Sequence, residues 1–505
     1  MAILKFLKNK LRRTDILAIA LFTLVTIFYG IATAPGLTGS ANVDTQVYNL
    51  GGKILAEGGT LYRDFFDHKG PAIHLLNELG YRLGGAEWGI WLIDLLLVLF
   101  AMIVLYRGFK IRLGALAATF VSAIIFFYYN HYLENKPEFY YLVAMSISLG
   151  LILRSNDEKS ALASGVLAST VFFMKQTLIG YFVALFAYYL LSAKSSRRQL
   201  ICYCGAGVLT AMGFISYLLA KGVFAEYYDC CFRFNVLYSN ENPLFGNAFD
   251  FQNLADGLIA FGWSVGSPGI LATFLAGMIL ITRRKFRLFG LALVFWLWEA
   301  FFVLRTGRFY LYQFVGLSFA SSIAYIVLFD FIRTVRPDLK KLLNLVLCAM
   351  IGYSFSNMLF DENLKRAISC LTGHVDQESQ ADRKLVERVK ALPDGPLLVW
   401  GSKCSLYYQT GRSGLSRCYY RTPLDLYGGI SDNEADTIIR DISRCDDMII
   451  VDSASEPILD PIPNVGKDRY RRESYFRRSL RDLVNREFKA IDSTVPRVKI
   501  FVKQK

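Results

Sequence analysis

Two polar stretches of this sequence carry acids and bases at spacings that suit acid–base and phosphate chemistry. Asp44 follows a long apolar run, and Asp67-His68-Lys69 lies further along the same polar segment. A carboxylate such as Asp44 is able to take a proton from an attacking hydroxyl. The ammonium of Lys69 suits a phosphate as a point charge, and Asp67 with His68 offers two ligand types for a divalent metal ion.

Each stretch also has a plainer interpretation. Asp44 equally suits the N-cap of a following helix, and a capping carboxylate is a fixed one, so the two roles are compatible. The charges around Asp67 also suit a solvated loop, but the flanking Phe65-Phe66 and Gly70-Pro71 favour a positioned one.

Further ionisable residues stand where apolar sequence begins or breaks. Glu138 begins an apolar run, and Glu134 precedes it by about one helical turn. A charge in such a run is costly unless it is paired, has a function or reaches the membrane interface. Lys175 interrupts another run, which also suits a short turn with a snorkelling lysine. The planar guanidinium of Arg308 suits a phosphate.

The elements that must position these residues are membrane helices. The chain has 505 residues, of which 54% are hydrophobic and 19% charged, and its mean hydropathy is +0.34. Because a span needs about 20 apolar residues, the long apolar runs predict a polytopic α-helical membrane protein. About eleven spans are predicted, near 15–34, 88–106, 113–130, 138–153, 160–174, 178–193, 200–219, 263–282, 288–304, 311–332 and 342–359.

Basic residues orient these spans. They cluster at the N-terminus and in the loops near 107–112, 194–198, 283–287 and 333–341, which predicts a cytoplasmic N-terminus in the cell membrane. An odd number of spans then places the C-terminal tail outside. The formal net charge of +14 is explained by these loops and by anionic membrane lipids as partners. Nucleic acid is not an expected partner, because the basic residues are scattered over short loops.

The outward segments include a first loop, 35–87, and a second long loop, 220–262. In the first loop, Gly58-Gly59 and Pro71 predict two helices, the second of which ends at Gly84-Gly85. The tail alternates strand and helix patterns, which predicts a small extracytoplasmic α/β domain over 361–505. Its predicted elements are strands at 396–400, 448–451 and 498–502 and helices at 431–445 and 470–488.

The polar motifs resemble those of the GT-C glycosyltransferase superfamily, and more closely its branch related to aminoarabinose transferases and protein O-mannosyltransferases. The resemblance covers about residues 10–360. It is carried by Asp44 in Val-Asp-Thr-Gln-Val-Tyr, by Asp67-His68-Lys69-Gly70-Pro71 and by Gly307-Arg308-Phe309-Tyr310. Where many relatives have Asp-Glu after the first span, this chain has Asp44-Thr45.

The resemblance implies a GT-C transmembrane catalytic domain over 1–360 and roles for single residues. Asp44 corresponds to the catalytic base, and Lys69 corresponds to the ligand of a lipid phosphate. Asp67 corresponds to an acid that takes part in metal binding. Glu138, with Glu134 as its competitor, corresponds to a second acid.

The predicted function is transfer of a sugar, with inversion, from a polyprenyl-phosphate donor to an extracytoplasmic acceptor. That acceptor is a cell-wall polymer, a lipid-linked glycan or a protein. The predicted phosphate ligands are Lys69, His68, Arg308 and Lys175, and the candidate metal ligands are Asp67 and His68. The alternative is a transporter or flippase of an anionic lipid or sugar, for which Asp94 and Glu299 are the mid-span charges; a non-catalytic scaffold is a third hypothesis.

Overall fold

Helices make up most of the described chain. A computed structural model describes the residues given next, together with isolated positions in 255–259 and 337–372. The described ranges are 12–35, 42–129, 135–191, 196–240, 267–306, 309–335, 377–426, 428–454, 457–460 and 474–504.

The helices follow the apolar periodicity closely, and several begin at a recognisable cap. In chain order they are α1 (Arg13–Thr33), α2 (Val43–Ala56), α3 (Pro71–Leu113), α4 (Ala115–Tyr129), α5 (Pro137–Arg154), α6 (Glu158–Phe172), α7 (Gly180–Leu191), α8 (Arg197–Ala220), α9 (Phe224–Tyr228), α10 (Phe234–Asn240), α11 (Ser267–Thr282), α12 (Phe286–Thr306), α13 (Val315–Ile332), α14 (Gln377–Lys390), α15 (Ser405–Thr410), α16 (Arg421–Asp425), α17 (Asp432–Arg444) and α18 (Tyr475–Glu487). A π-helical turn, Asp229–Arg233, joins α9 to α10, and a 3-10 turn, Leu311–Phe314, precedes α13.

Five stretches of these helices are long and apolar enough to cross a membrane. They are Arg13–Thr33, Pro71–Ile111, Arg197–Ala220, Phe286–Leu304 and Tyr312–Ile332, and Gly180–Leu191 and Gly269–Thr282 are shorter apolar helices. The chain is therefore a multi-pass helical membrane protein. The predicted number of about eleven spans stays a prediction, and the span predicted at 342–359 lies outside the described residues.

Contacts between residues divide the chain into two compact units. The first contains Met1–Ala32, Ile93–Gly213 and Leu244–Ile368, and the second contains Thr33–Leu92, Phe214–Pro243 and Ser369–Lys505. In the first unit, α11 packs on α13 through Ala272 and Ala276 against Ala324 and Leu328. The predicted division into residues 1–360 and 361–505 stays a prediction.

The second unit holds a four-stranded sheet. Its strands are β1 (Leu397–Trp400), β2 (Ile449–Asp452), β3 (Phe488–Ile491) and β4 (Lys499–Lys503), in the order β1-β2-β4-β3. β1 pairs with β2 in parallel, and the other pairs are antiparallel. All residues of β1 and β2 are buried. Except for Asp452 they are apolar, as expected for buried strands.

Two predicted helices of the first outer loop are present, also in the second unit. Pro71 opens α3, and Gly84 and Gly85 interrupt it with non-helical backbone angles, the φ of Gly85 being 82°. After α2 the chain turns at Gly58, whose φ is 95°. Because L-residues rarely adopt such positive φ values, glycine ends α2 and interrupts α3 here.

Candidate functional site

The loop between α2 and α3 is held in a defined conformation. Its residues Leu61, Tyr62, Phe65 and Phe66 are almost completely buried. The N–H of Tyr62 donates to the carbonyl of Phe65 over 2.8 Å, and Tyr62 has an uncommon positive φ of 69°. Such strained backbone persists only where the surroundings hold it, and it is frequent at functional sites.

Asp67 is the buried centre of this loop. Its Oδ2 accepts a hydrogen bond from His74 Nε2 at 2.9 Å, and its Oδ1 accepts from the backbone N–H of His68 at 2.7 Å. Tyr420, from the C-terminal part of the chain, donates its hydroxyl to Oδ1 at 3.2 Å. A buried carboxylate is stable only when donors surround it in this way.

The neighbours of Asp67 also keep it ionised. Burial alone raises the pKa of this carboxyl, but the hydrogen bond from His74 and the electrostatic pull of His68, His74 and Lys69 outweigh it. The pKa of Asp67 therefore lies well below its ordinary value. Asp67 is therefore a buried acid with a lowered pKa that lies next to two bases.

Those bases are His68 and Lys69, which are each half-buried. The Lys69 ammonium contacts Nε2 of the His68 ring. The carbonyl of Lys69 accepts from the Tyr62 hydroxyl at 2.9 Å and from Cys231 Sγ at 3.0 Å, while Asn235 donates to the carbonyl of His68 at 2.9 Å. The backbone of the two bases is thus fixed, which suits a preorganised cation for a phosphate.

Asp44 lies in the first turn of α2 and is partly buried. The interpretation of Asp44 as the N-cap of this helix is wrong. Asn42 is the cap, and its side-chain oxygen accepts from the N–H of Asp44 at 3.1 Å. Asp44 is therefore an acid of the first helical turn, two residues after the cap.

Helix α2 is anchored on both sides within the second unit. Gln46 accepts a hydrogen bond from the N–H of Ser405 at 3.0 Å. Gly51 faces His74, and a Cβ at Gly51 would lie 2.5 Å from His74 Nδ1. The absence of a side chain at Gly51 therefore leaves room for the His74 imidazole, which is hydrogen-bonded to Asp67.

The remaining predicted residues belong to the first unit or lie outside the described residues. Glu138, next to Pro137 at the start of α5, forms an ion pair with Lys175 whose Oε1–Nζ distance is 2.5 Å. This pair satisfies a buried acid and explains why both charges are tolerated in apolar sequence. Glu134 and Arg308 lie outside the described residues.

The mid-span acids of the first unit are also hydrogen-bonded. Asp94 accepts from the Tyr140 hydroxyl at 2.7 Å and from the N–H of Asn135 at 3.2 Å. Glu299 accepts from the Tyr141 hydroxyl at 2.8 Å. These buried carboxylates therefore have structural partners.

The second unit contributes residues that the sequence analysis did not identify. Arg417 makes a two-pronged ion pair with Glu434, at 2.8 and 3.1 Å, and also donates to the carbonyl of Tyr62 at 3.0 Å. The N–H of Phe66 in turn donates to the carbonyl of Arg417 at 2.8 Å. Segment 417–420 thus supports the loop that carries Asp67, by contacts that sequence spacing does not predict.

The prediction that Asp67 and His68 bind a metal ion stays a prediction. Within the described ranges, no group of three or more His, Cys, Asp and Glu side chains is arranged to hold one. Both carboxylate oxygens of Asp67 accept hydrogen bonds, and the Nε2 of His68 contacts the Lys69 ammonium.

Part of the sequence matches a known protein family. Residues 68–219 match the sequence profile of the family "Dolichyl-phosphate-mannose-protein mannosyltransferase". No curated protein matches the whole sequence significantly.

Among solved structures, ArnT from Cupriavidus metallidurans bound to undecaprenyl phosphate is similar with a TM-score of 0.55 at 13% identity, over 86% of this chain and 92% of that one. Its apo structure gives a TM-score of 0.54 at 14% identity over the same shares. The oligosaccharyltransferase of Archaeoglobus fulgidus, tethered with an acceptor peptide, gives 0.47 at 11% identity, over 86% and 68%.

The chain therefore shares its fold with ArnT. The resemblance to the GT-C superfamily is confirmed, by the profile match in the first part of the chain and by the fold shared with ArnT. These matches give no support to the transporter or flippase alternative.

Proposed function

We propose that this protein transfers a sugar, with inversion, from a polyprenyl-phosphate donor to an extracytoplasmic acceptor. The observation that carries the proposal is the fixed Asp67-His68-Lys69 loop, in which two half-buried bases follow a buried acid with a lowered pKa. A positioned ammonium stabilises the charge that develops on a departing phosphate. ArnT, which shares the fold, was solved with undecaprenyl phosphate, a ligand of this chemical class.

In the proposed mechanism, Asp44 takes the proton of the acceptor hydroxyl as its oxygen attacks the anomeric carbon. The bond from that carbon to the phosphate oxygen breaks in the same displacement, so the configuration inverts. Polyprenyl phosphate leaves with its charge against Lys69 and His68. Glu138 and Glu134 remain proposed second acids, and Arg308 and Lys175 remain proposed phosphate ligands.

The proposed setting follows from the predicted topology. The catalytic domain over 1–360 is embedded in the cytoplasmic membrane with the N-terminus inside, and the domain over 361–505 is extracytoplasmic. The acceptor is a cell-wall polymer, a lipid-linked glycan or a protein.

Mass spectrometry of a strain that lacks the protein tests this function. We expect one sugar to disappear from the surface glycans while the same sugar accumulates on polyprenyl phosphate. The wild-type gene should restore the pattern, and a Lys69→Met variant should not. Unchanged glycans together with an unchanged donor pool would contradict the proposal.

A further inference from the structure

The second unit contains a cavity of about 350 Å3 that the proposed mechanism does not use. It lies entirely among residues of the first outer loop, the segment around α9 and α10, and the C-terminal part of the chain. This cavity volume is at the lower end for small-molecule sites.

The charges that line the cavity balance. Three arginines and three acids contribute, and they are paired as Arg63–Glu226, Arg233–Asp229 and Arg417–Glu434. A strongly anionic ligand would gain from the guanidinium groups and lose to the carboxylates, and a cationic ligand would do the reverse. The lining therefore favours a ligand without net charge.

Two of the pairs leave hydrogen-bonding capacity for a ligand. Arg63 and Glu226 are 3.8 Å apart and Arg233 and Asp229 are 3.3 Å apart, and the side chains of both arginines are more than half exposed. A guanidinium has five N–H donors and a carboxylate about four acceptor positions. Hydroxyl groups, which donate and accept, are able to bond to both members of such a pair.

The cavity also has an aromatic surface. Phe66 and Phe234 line it and meet edge to face with their ring centroids 4.9 Å apart, and Tyr62 lines it beside them. Both phenylalanines are 2% exposed, so they form a rigid apolar part of the wall and offer little free ring surface. The hydrogen-bonding capacity of the cavity therefore comes from the charged pairs.

One residue connects this cavity to the proposed phosphate site. Tyr62 lines the cavity, and its hydroxyl donates to the carbonyl of Lys69 at 2.9 Å. A ligand in the cavity is thus separated from the Lys69 backbone by a single strained, buried residue.

We propose that this cavity binds an uncharged, hydroxyl-rich saccharide unit of the acceptor. The inference rests on the proposed function only in calling that saccharide an acceptor. The mixed pairs Arg63–Glu226 and Arg233–Asp229 recognise its hydroxyl groups.

Saturation-transfer NMR on the full-length protein in detergent tests the proposal without any transfer reaction. The probes are neutral di- and trisaccharides of glucose, galactose, mannose and N-acetylglucosamine, together with sulfated forms of the same sugars. We expect at least one neutral probe to bind. Its binding should weaken at least fivefold in Arg233→Gln, and also in Leu237→Trp, which fills the cavity.

Arg440→Gln, which changes an exposed arginine of α17 in the same unit, is the matched control and should bind as the wild type does. Three results would overturn the proposal: no binding of any neutral probe, binding of the sulfated probes only, or equal binding by the wild type and both cavity variants. Loss of the proposed function in the strain experiment, with cavity-dependent binding intact, would leave a saccharide site without its role in transfer.

Discussion

Asp67 shows why single residues of the first outer loop have little freedom to change. A carboxylate that is 1% exposed needs donors for both oxygens, and His74, the His68 backbone and Tyr420 supply them. The same donors orient the loop that holds Lys69. The same residues therefore determine both the stability of the loop and the position of the Lys69 ammonium.

The lowered pKa of Asp67 predicts a pH-dependent contribution to stability. Because the folded pKa is depressed, the contribution is present above the unfolded pKa of about 3.9 and is lost as pH falls towards the folded pKa. Asp67→Asn should therefore lower the unfolding temperature in detergent more at pH 7 than at pH 3. Asp64→Asn, an exposed acid of the same loop, is the control, and an equal effect of Asp67→Asn at both pH values would contradict the assignment.

Lys69 is predicted to dominate binding of the lipid phosphate. Lys69→Met should weaken the stabilisation of the protein by added polyprenyl phosphate at least tenfold in apparent Kd, equivalent to about 1.4 kcal/mol. Lys53→Met, which removes the charge of an exposed ion pair in α2, should leave it unchanged. The readout is the unfolding temperature as a function of lipid concentration, and equal affinity of Lys69→Met and wild type would contradict the role.

At the residue scale, sequence reasoning identified what is adjacent in the chain and missed what is distant. Asp67, His68 and Lys69 are neighbours, so their proximity needed no fold. Tyr420 lies 353 positions from Asp67 and was not identified. His74 is seven residues from Asp67, but its role depends on the turn at Pro71, and a lone histidine in an apolar helix carries no specific signal.

At the element scale, the break in α3 at Gly84 and Gly85 brings two parts of that helix into close contact. A Cβ on Gly89 would lie 1.8 Å from the carbonyl oxygen of Gly80. Gly80 and Gly89 therefore allow the two backbone segments to approach more closely than any other residue permits.

Gly89→Ala is predicted to destabilise the protein by about 1–3 kcal/mol, because the added methyl group overlaps backbone that has to move. Gly205→Ala, at a helical position in α8 with open space around it, is the matched control and should be neutral or slightly stabilising. Denaturant unfolding in mixed micelles compares them. Equal stability of Gly89→Ala and Gly205→Ala would contradict the close packing.

The ion pair between Arg417 and Glu434 is predicted to stabilise the loop that carries Asp67. A double-mutant cycle with Arg417→Met and Glu434→Gln should give a coupling free energy of about 1–2 kcal/mol. Arg417→Met should additionally speed hydrogen exchange in the loop, because its donor to the Tyr62 carbonyl is lost. A coupling near zero, with unchanged exchange, would contradict this support.

The periodicity of apolar residues predicted most helices and strands correctly, but it failed for the short strand β3. The helices of the first outer loop and the strands now seen at Leu397–Trp400, Ile449–Asp452 and Lys499–Lys503 were expected. β3, Phe488–Ile491, was missed because it follows α18 without a turn residue and buries only its first residue fully. The pairing of β3 with β4 decides its conformation, and such pairing is a tertiary effect.

At the scale of the whole molecule, the second compact unit is built from three separated parts of the chain, Thr33–Leu92, Phe214–Pro243 and Ser369–Lys505. A hydropathy profile follows the order of the sequence, so it predicts membrane spans but not which distant polar loops fold together. The contacts between residues 417–420 and the Asp67 loop are the clearest example, because only the fold brings these segments together.

The central claim is sugar transfer with Asp44 as the base, and one measurement tests it directly. Wild-type protein, Asp44→Asn and the exposed-site control Glu57→Gln are reconstituted in liposomes with a polyprenyl-phosphate-linked sugar and an acceptor extract, and the new glycosidic bond is quantified. We predict that Asp44→Asn loses at least about a hundredfold in rate, with donor binding unchanged, while Glu57→Gln transfers normally. Transfer by Asp44→Asn at the wild-type rate, or movement of substrate across sealed vesicles without a new bond, would contradict the account.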